Sequence, residues 1–322
     1  MVLMRVTPST PTVYIVGAGG QLGTALQAGS ARVPDSVVVR PLTSADIDIA
    51  DATSVAAALG DLAEGDVVLN CAAYTDVDGA ESDVDGAHRV NVTGPTVLAG
   101  QTAAAGAWLI HVSTDYVFPG TPGASSADAG SAGYEPDDVR DRPATVYGAT
   151  KLDGERAALA ADPGTTVVRT AWVYTGGPDS LDFVGTMRRL EQSRDTVSVV
   201  DDQLGSPTYC PDLADGLWEL VANGVRTPGS RPDAAGSVLH ATNAGSATWF
   251  DVARGVFEEV GADPGRVLPT TTAHFPRPAP RPAYSVLSGR SWADAGLTPL
   301  RGWREALHAA IAAPDARDGS LP

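Results

Sequence analysis

Short runs of Val and Ile recur along the chain, separated by longer Ala- and Leu-rich stretches. The runs are VYIV at 13–16, VVV at 37–39, DVVLN at 66–70, WLIHVS at 108–113 and TVVRT at 166–170. Between them QLGTALQAG (21–29), TSVAAALGDLA (53–63), GPTVLAGQTAAAG (94–106) and KLDGERAALAA (151–161) read as helices. Buried strand alternating with helix predicts a parallel sheet covered on both faces. The fold class expected is therefore α/β, a Rossmann-type doubly wound parallel sheet over residues 1–170.

Residues 171–322 are less regular and predict a smaller C-terminal domain. VSVVDDQ (197–203) and VLHATN (238–243) read as strands, both able to return to the first domain, among the helices MRRLEQ, DLADGLWELVA and TWFDVARGVFEEVG. FPRPAPRP at 275–282 is too proline-dense for a helix or a central strand and predicts a rigid surface or pocket-lining loop. The Gly/Ser/Ala-rich segment 119–143 reads as a mobile loop that could act as a lid, and the tail after Ala313 as frayed.

Composition narrows the function classes. At 322 residues, with 43% hydrophobic and 19% charged, the chain can bury a substantial core. Lys plus Arg total 22 against 39 Asp plus Glu, a net charge of −17, which argues against a nucleic-acid partner. Cys71 and Cys210 are the two cysteines, too few for a disulfide framework and without the neighbours of a metal site. No secretory signal opens MVLMRVTPST, and the longest uncharged stretch, 90–114, is broken by Asn, Gln, Gly and Pro, so a soluble cytoplasmic protein with no membrane span is expected. Lys151 is the sole lysine of the chain, which invites a chemical reason for its presence.

The first strand runs into GAGGQLG and then a helix, which sets Gly17, Gly20 and Gly23 at a strand–turn–helix junction. There the backbone N–H groups and the helix dipole can face a pyrophosphate. The second strand ends in Arg40 with no carboxylate following, which favours NADPH over NADH because an acid there would hold a ribose 2′-OH and repel a 2′-phosphate. Asp48 and Ile49 can line an adenine pocket, or Asp48 can belong to a helix-capping region. Ala72 and Ala73 at the end of the third strand let a cofactor lie close, with Tyr74 beside them.

Tyr147 and Lys151 in YGATK stand four apart and share one helix face. An ammonium beside a phenol would lower the phenol's pKa toward neutrality and suit it to proton exchange with a carbonyl. Thr114, at the carboxyl end of the strand WLIHVS, can hold the reacting oxygen in line with Tyr147, and Ser113 is the competing hydroxyl.

Together the glycine turn, the hydroxyl after the fourth strand and Y-x-x-x-K resemble the extended short-chain dehydrogenase/reductases. Within them GAGGQLG, NCAAYTDVDGAE, HVSTDYVF, YGATKLDGE, RTAWVY, DDQLGSPTY, DLA and FPRPAPRP are similar to the segments of the reductases that act on C4 of dTDP-4-dehydro-β-L-rhamnose. The resemblance implies Tyr147 as proton donor, Lys151 as its partner and ribose ligand, and Thr114 as the group that tunes the transfer. It also implies that Gln21, Leu22, Asp48, Ile49 and Ala72 to Tyr74 line the cofactor, and that Asn91 positions the lysine. Asp115, Tyr116 and Trp172 match positions that contact the sugar, and the C-terminal domain would bind substrate. Arg277 and Arg281 are candidates for the substrate diphosphate. The first helix carries no carboxylate, so a metal-bridged dimer is not expected; the assembly is a monomer or homodimer, with no metal. Another nucleotide-deoxysugar 4-ketoreductase, an epimerase and a non-catalytic regulatory homologue are the competing readings. Retention of both Tyr147 and Lys151 argues against the last of these.

Overall fold

The computed structural model describes residues 10–32, 37–121, 133–139, 141–225 and 232–313. Residues 122–132 and 140 of the suspected lid, and the tail beyond Ala313, lie outside the described residues. Six parallel strands form the central sheet: β1 (Thr12–Val16), β2 (Val38–Leu42), β3 (Val67–Asn70), β4 (Trp108–Thr114), β5 (Thr166–Thr170) and β6 (Val238–His240). Their order across the sheet is β6-β5-β4-β3-β1-β2, so the chain reverses direction of travel between β1 and β3. In such sheets that reversal opens a crevice at the carboxyl ends of the strands.

Side-chain alternation divides each strand between two cores. Val13, Ile15, Val67 and Leu69 face one side, where Leu26, Leu213 and Leu217 cover them. Tyr14, Val16 and Val68 face the other, against Val55, Leu98 and Ala158. The covering helices are α1 (Gln21–Gly29) and the helix Cys210–Gly224 on the first face. The other face is covered by α2 (Ala52–Ala58), α3 (Gly94–Ala105) and α4 (Val146–Ala161). The second half of the chain thus completes the sheet layer with one strand and one helix. The strand Val197–Val200 pairs instead with Val267–Thr270 in a separate two-stranded ribbon. That ribbon packs on the helices Phe183–Ser193, Trp249–Glu259 and Trp303–Ala312 over a core containing Met187, Val256, Phe257 and Leu307.

Two element boundaries differ from the sequence expectation for local reasons. The second helix stops at Ala58, before Gly60, instead of running to residue 63. Helix α4 begins at Val146, because the Thr145 hydroxyl accepts from the Gly148 N–H at 2.9 Å and caps it there. Tyr147 therefore sits in the first turn of the helix that carries Lys151. Among the described residues no helix is long and apolar enough to cross a membrane.

Candidate active site

The glycine turn is built by close approach. Gly17 has φ +83°, and a Cβ there would stand 2.7 Å from the backbone nitrogen of Ala72, so only glycine lets β1 and the end of β3 meet. A Cβ on Gly23 would stand 2.4 Å from the Gly17 carbonyl, so this glycine serves packing within the turn. Gly20 caps α1 without a side-chain hydrogen bond, and no acidic residue occupies the first turn, which leaves the N–H groups for an anion.

In front of this turn lies a cleft of about 1090 Å³ at the carboxyl ends of β1, β3, β4 and β5. Gly17, Gly20, Gln21, Leu22, Asp48, Ile49, Ala72 and Ala73 line one end, as expected from the sequence. Thr114, Asp115, Tyr116, Tyr147, Lys151 and Trp172 line the other. The small residues at the β1–β3 crossing and the uncapped helix start suit an extended dinucleotide.

Burial governs the chemistry at this second end. Tyr147 is 8% exposed, and burial pushes its phenol up to about 12, eased only by a hydrogen bond with Thr114. Lys151 is 2% exposed, and burial brings its amine down to about 8. Its Nζ donates to the Val112 carbonyl at 2.8 Å. The expected lowering of the Tyr147 pKa by Lys151 is thus absent from this arrangement, because desolvation dominates and the ammonium is directed to β4. Thr114 and not Ser113 acts on the Tyr147 phenol: the Thr114 hydroxyl also donates to Asp115 Oδ1 at 3.0 Å, while the buried Ser113 hydroxyl has no hydrogen-bond partner among the described residues. Asp115 is buried, which pushes its carboxyl up to about 6 against the opposing hydrogen bonds from Ser285 and Thr114.

Several expected residues stand elsewhere. Arg40 reaches Asp61 at 3.8 Å and lies over the Tyr14 ring, outside the cleft lining. The cation beside Asp48 in the cleft lining is Arg89, whose guanidinium pairs with Asp48 and holds that carboxyl below the usual range. Asn91 is buried beneath the lining within a π-turn, Arg89–Thr93, the sort of helix distortion common at functional sites. Its Oδ1 accepts from Tyr74 N at 2.9 Å, and its Nδ2 donates to Thr150 Oγ1 at 3.2 Å, so it ties the β3 loop to α4 without touching Lys151. Through that contact Tyr74 acts by its backbone and does not line the cleft. Arg281 forms a bidentate pair with Asp78 at 2.9 and 2.8 Å, and Arg277 approaches the same carboxylate at 3.9 Å. Both pin the proline-rich loop to the short helix Val77–Ala80 and are not in the cleft lining.

Three features had no sequence signal. Trp249 stacks on Trp172 with centroids 3.6 Å apart and planes 5° from parallel. Trp172 has φ +47°, and a Cβ on Gly205 would stand 2.4 Å from its ring, so this indole is held in a strained backbone by a glycine floor. His111 and Asn70 lie behind Lys151 and are treated below. Among the described residues no group of three or more His, Cys, Asp or Glu side chains could hold a metal ion.

Fold and cleft together define a nicotinamide-dinucleotide oxidoreductase of the extended short-chain dehydrogenase/reductase class. Residues 11–315 match the family model described as "RmlD substrate binding domain", and the chain belongs to that family. It is 55% identical over 302 residues to the dTDP-4-dehydrorhamnose reductase of Mycobacterium tuberculosis (strain ATCC 25618 / H37Rv), covering 94% of this chain and 93% of that one. It is 51% identical over 312 residues to the enzyme of that name from Mycolicibacterium smegmatis, covering 96% and 88%. Among solved structures it resembles the dTDP-4-dehydrorhamnose reductase of Bacillus anthracis in complex with NADP. The TM-score is 0.81 at 32% identity, covering 94% of this chain and 99% of the other.

Proposed function

We propose that this chain reduces the C4 ketone of dTDP-4-dehydro-β-L-rhamnose to dTDP-β-L-rhamnose with NADPH, the last step in making that nucleotide sugar, NADH being a possible substitute. One observation carries the reading: Tyr147, Lys151 and Thr114 line the same cleft as the glycine turn. The 55% identity to a dTDP-4-dehydrorhamnose reductase supports the choice of sugar.

In this reading the nicotinamide, when bound, supplies the hydride that C4 receives. Gly17, Gly20, Gln21, Leu22, Ala72 and Ala73 hold the dinucleotide, with Asp48 and Ile49 at its adenine. Tyr147 is a phenol over the ordinary pH range, the state needed to give a proton to the ketone oxygen as negative charge develops there. Thr114 fixes the phenol's direction and can hydrogen-bond the same oxygen. Lys151, drawn in behind Tyr147, supplies a donor for the ribose. Asp115, Tyr116 and Trp172 form the sugar end. The sheet layer is the cofactor unit and residues 171–322 mainly the substrate unit. The setting is cytoplasmic, and the assembly is a monomer or homodimer without a nucleic-acid partner.

The test is absorbance at the reduced-nicotinamide band after mixing protein, NADPH and enzymatically generated dTDP-4-dehydro-L-rhamnose, run beside Tyr147→Phe. Consumption by the wild type alone is expected; no consumption by either would overturn the reading.

A further inference from the structure

At the back of the cleft, the half-buried Ala72 N–H and the buried side chains of Asn70, His111 and Lys151 form a chain whose donors and acceptors can be counted. The Ala72 N–H donates to Asn70 Oδ1 at 3.1 Å, which fixes the orientation of the Asn70 amide. Its Nδ2 then faces His111 Nδ1 at 3.0 Å. An amide nitrogen only donates, so His111 Nδ1 must accept, and the single proton of the neutral ring sits on Nε2. That N–H points at Lys151 Nζ, 3.4 Å away. An ammonium has no lone pair to receive it, whereas an amine has one.

We propose that Asn70 and His111 are positioning residues that present an N–H to Lys151 and so favour its amine over its ammonium form. Other groups around Lys151 act on its charge as well. Burial is the largest influence and disfavours the ammonium, Glu155 on the same helix and Cys71 after β3 favour it, and Glu155 is itself paired with Arg169 from β5. Tyr147, one turn earlier on α4, faces Thr114. Burial holds the His111 ring well below its ordinary pKa, so the ring stays neutral and keeps one donor and one acceptor. The consequence for the reaction is a lysine poised to gain or lose its proton near neutral pH, where a fixed ammonium would not exchange. The inference rests on the role proposed for Lys151 beside Tyr147, but its test does not.

Lys151 is the only lysine in the chain, so lysine labelled with 13C at Cε gives one side-chain signal whose pH titration reads this residue directly. The wild-type midpoint is expected at about 8, against 10.5 for an ordinary lysine. The ring 15N shifts of His111, identified by its contact with the Asn70 amide, should report a proton on Nε2. In Asn70→Asp a carboxylate replaces the donor: the ring proton should move to Nδ1, Nε2 should accept from the ammonium, and the Lys151 midpoint should rise by at least about one pH unit, tenfold in the ratio of the two forms. An Nδ1–H ring in the wild type overturns the proposal even if the variant fails to fold. So does an unmoved midpoint, or one that rises while the ring proton stays on Nε2, which would assign the shift to the added charge alone. Neither NADPH nor sugar is used, so failure of the reductase assay would leave this result standing, and the reverse.

Discussion

Tyr147 and Lys151 stand one turn apart on α4, yet their polar ends address different residues of β4: Lys151 donates to the Val112 carbonyl at 2.8 Å, while the Thr114 hydroxyl is the group that eases the raised pKa of the Tyr147 phenol. Without cofactor the two are not an ion pair, and burial leaves the tyrosine fully protonated. For a reduction that is the useful state, because the phenol has a proton to give. Tyr147→Phe should lower kcat by about 10²- to 10⁴-fold with NADPH binding retained, measured by steady-state reduction beside a cofactor titration.

Thr114 and Ser113 are separable by the same assay. Thr114→Val removes the group that meets the phenol and should lower kcat by about 10- to 100-fold. Ser113→Ala removes a hydroxyl with no hydrogen-bond partner among the described residues and should change kcat far less. Equal losses in both would contradict the geometry.

Asp115 gives stability a defined pH dependence. Its folded-state pKa, about 6, lies above the ordinary carboxyl value of 3.8, so between those values the folded state binds more protons than the unfolded one. Its contribution to stability is therefore present below pH 4 and falls as pH rises through 6. Asp115→Asn should be more stable than the wild type near pH 7, and the gap should close toward pH 4. Melting temperatures of the pair across that range would read the difference and cancel the titration of other groups.

The Glu155–Arg169 pair is buried and bidentate, at 2.9 and 2.7 Å, with the guanidinium also donating to the Pro136 carbonyl. Glu155→Ala leaves an uncompensated buried cation and should cost about 3–5 kcal/mol in denaturant unfolding. Replacing both residues together, Glu155→Leu with Arg169→Met, should cost less than the single change, because no buried charge then remains.

Arg40 faces Asp61 across an exposed 3.8 Å contact, away from the cleft. Arg40→Ala should shift the ratio of kcat/KM for NADPH over NADH by less than about twofold. A large fall in that ratio would mean that the arginine swings to the cofactor when it binds.

Much of the site was legible because its signals are local. Tyr147 and Lys151 are one turn apart on any helix, and the glycine spacing of GAGGQLG has meaning once a strand precedes it and a helix follows. Arg40, by contrast, looked like a 2′-phosphate ligand at the end of a strand, but β2 runs on to Leu42, which leaves Arg40 in mid-strand beside Asp61 and over Tyr14. Arg281 looked free to meet a diphosphate, and Asp78, 203 residues earlier, had already taken it. Asn91 was expected to position the lysine, but its amide serves Tyr74 and Thr150 instead.

By itself the sequence determined the alternation of strand and helix, the parallel sheet, the phosphate-facing glycine turn and the Tyr–Lys face, since each follows from periodicity or spacing over a few residues. Only the tertiary structure decided the electrostatic state of those groups. Burial raised Tyr147 and Asp115 and lowered Lys151, and desolvation depends on everything packed around a side chain. It also decided the pairings Asn70 with His111 and Trp172 with Trp249. Their partners lie 41 and 77 positions apart in the chain, and nothing in the local pattern brings them together.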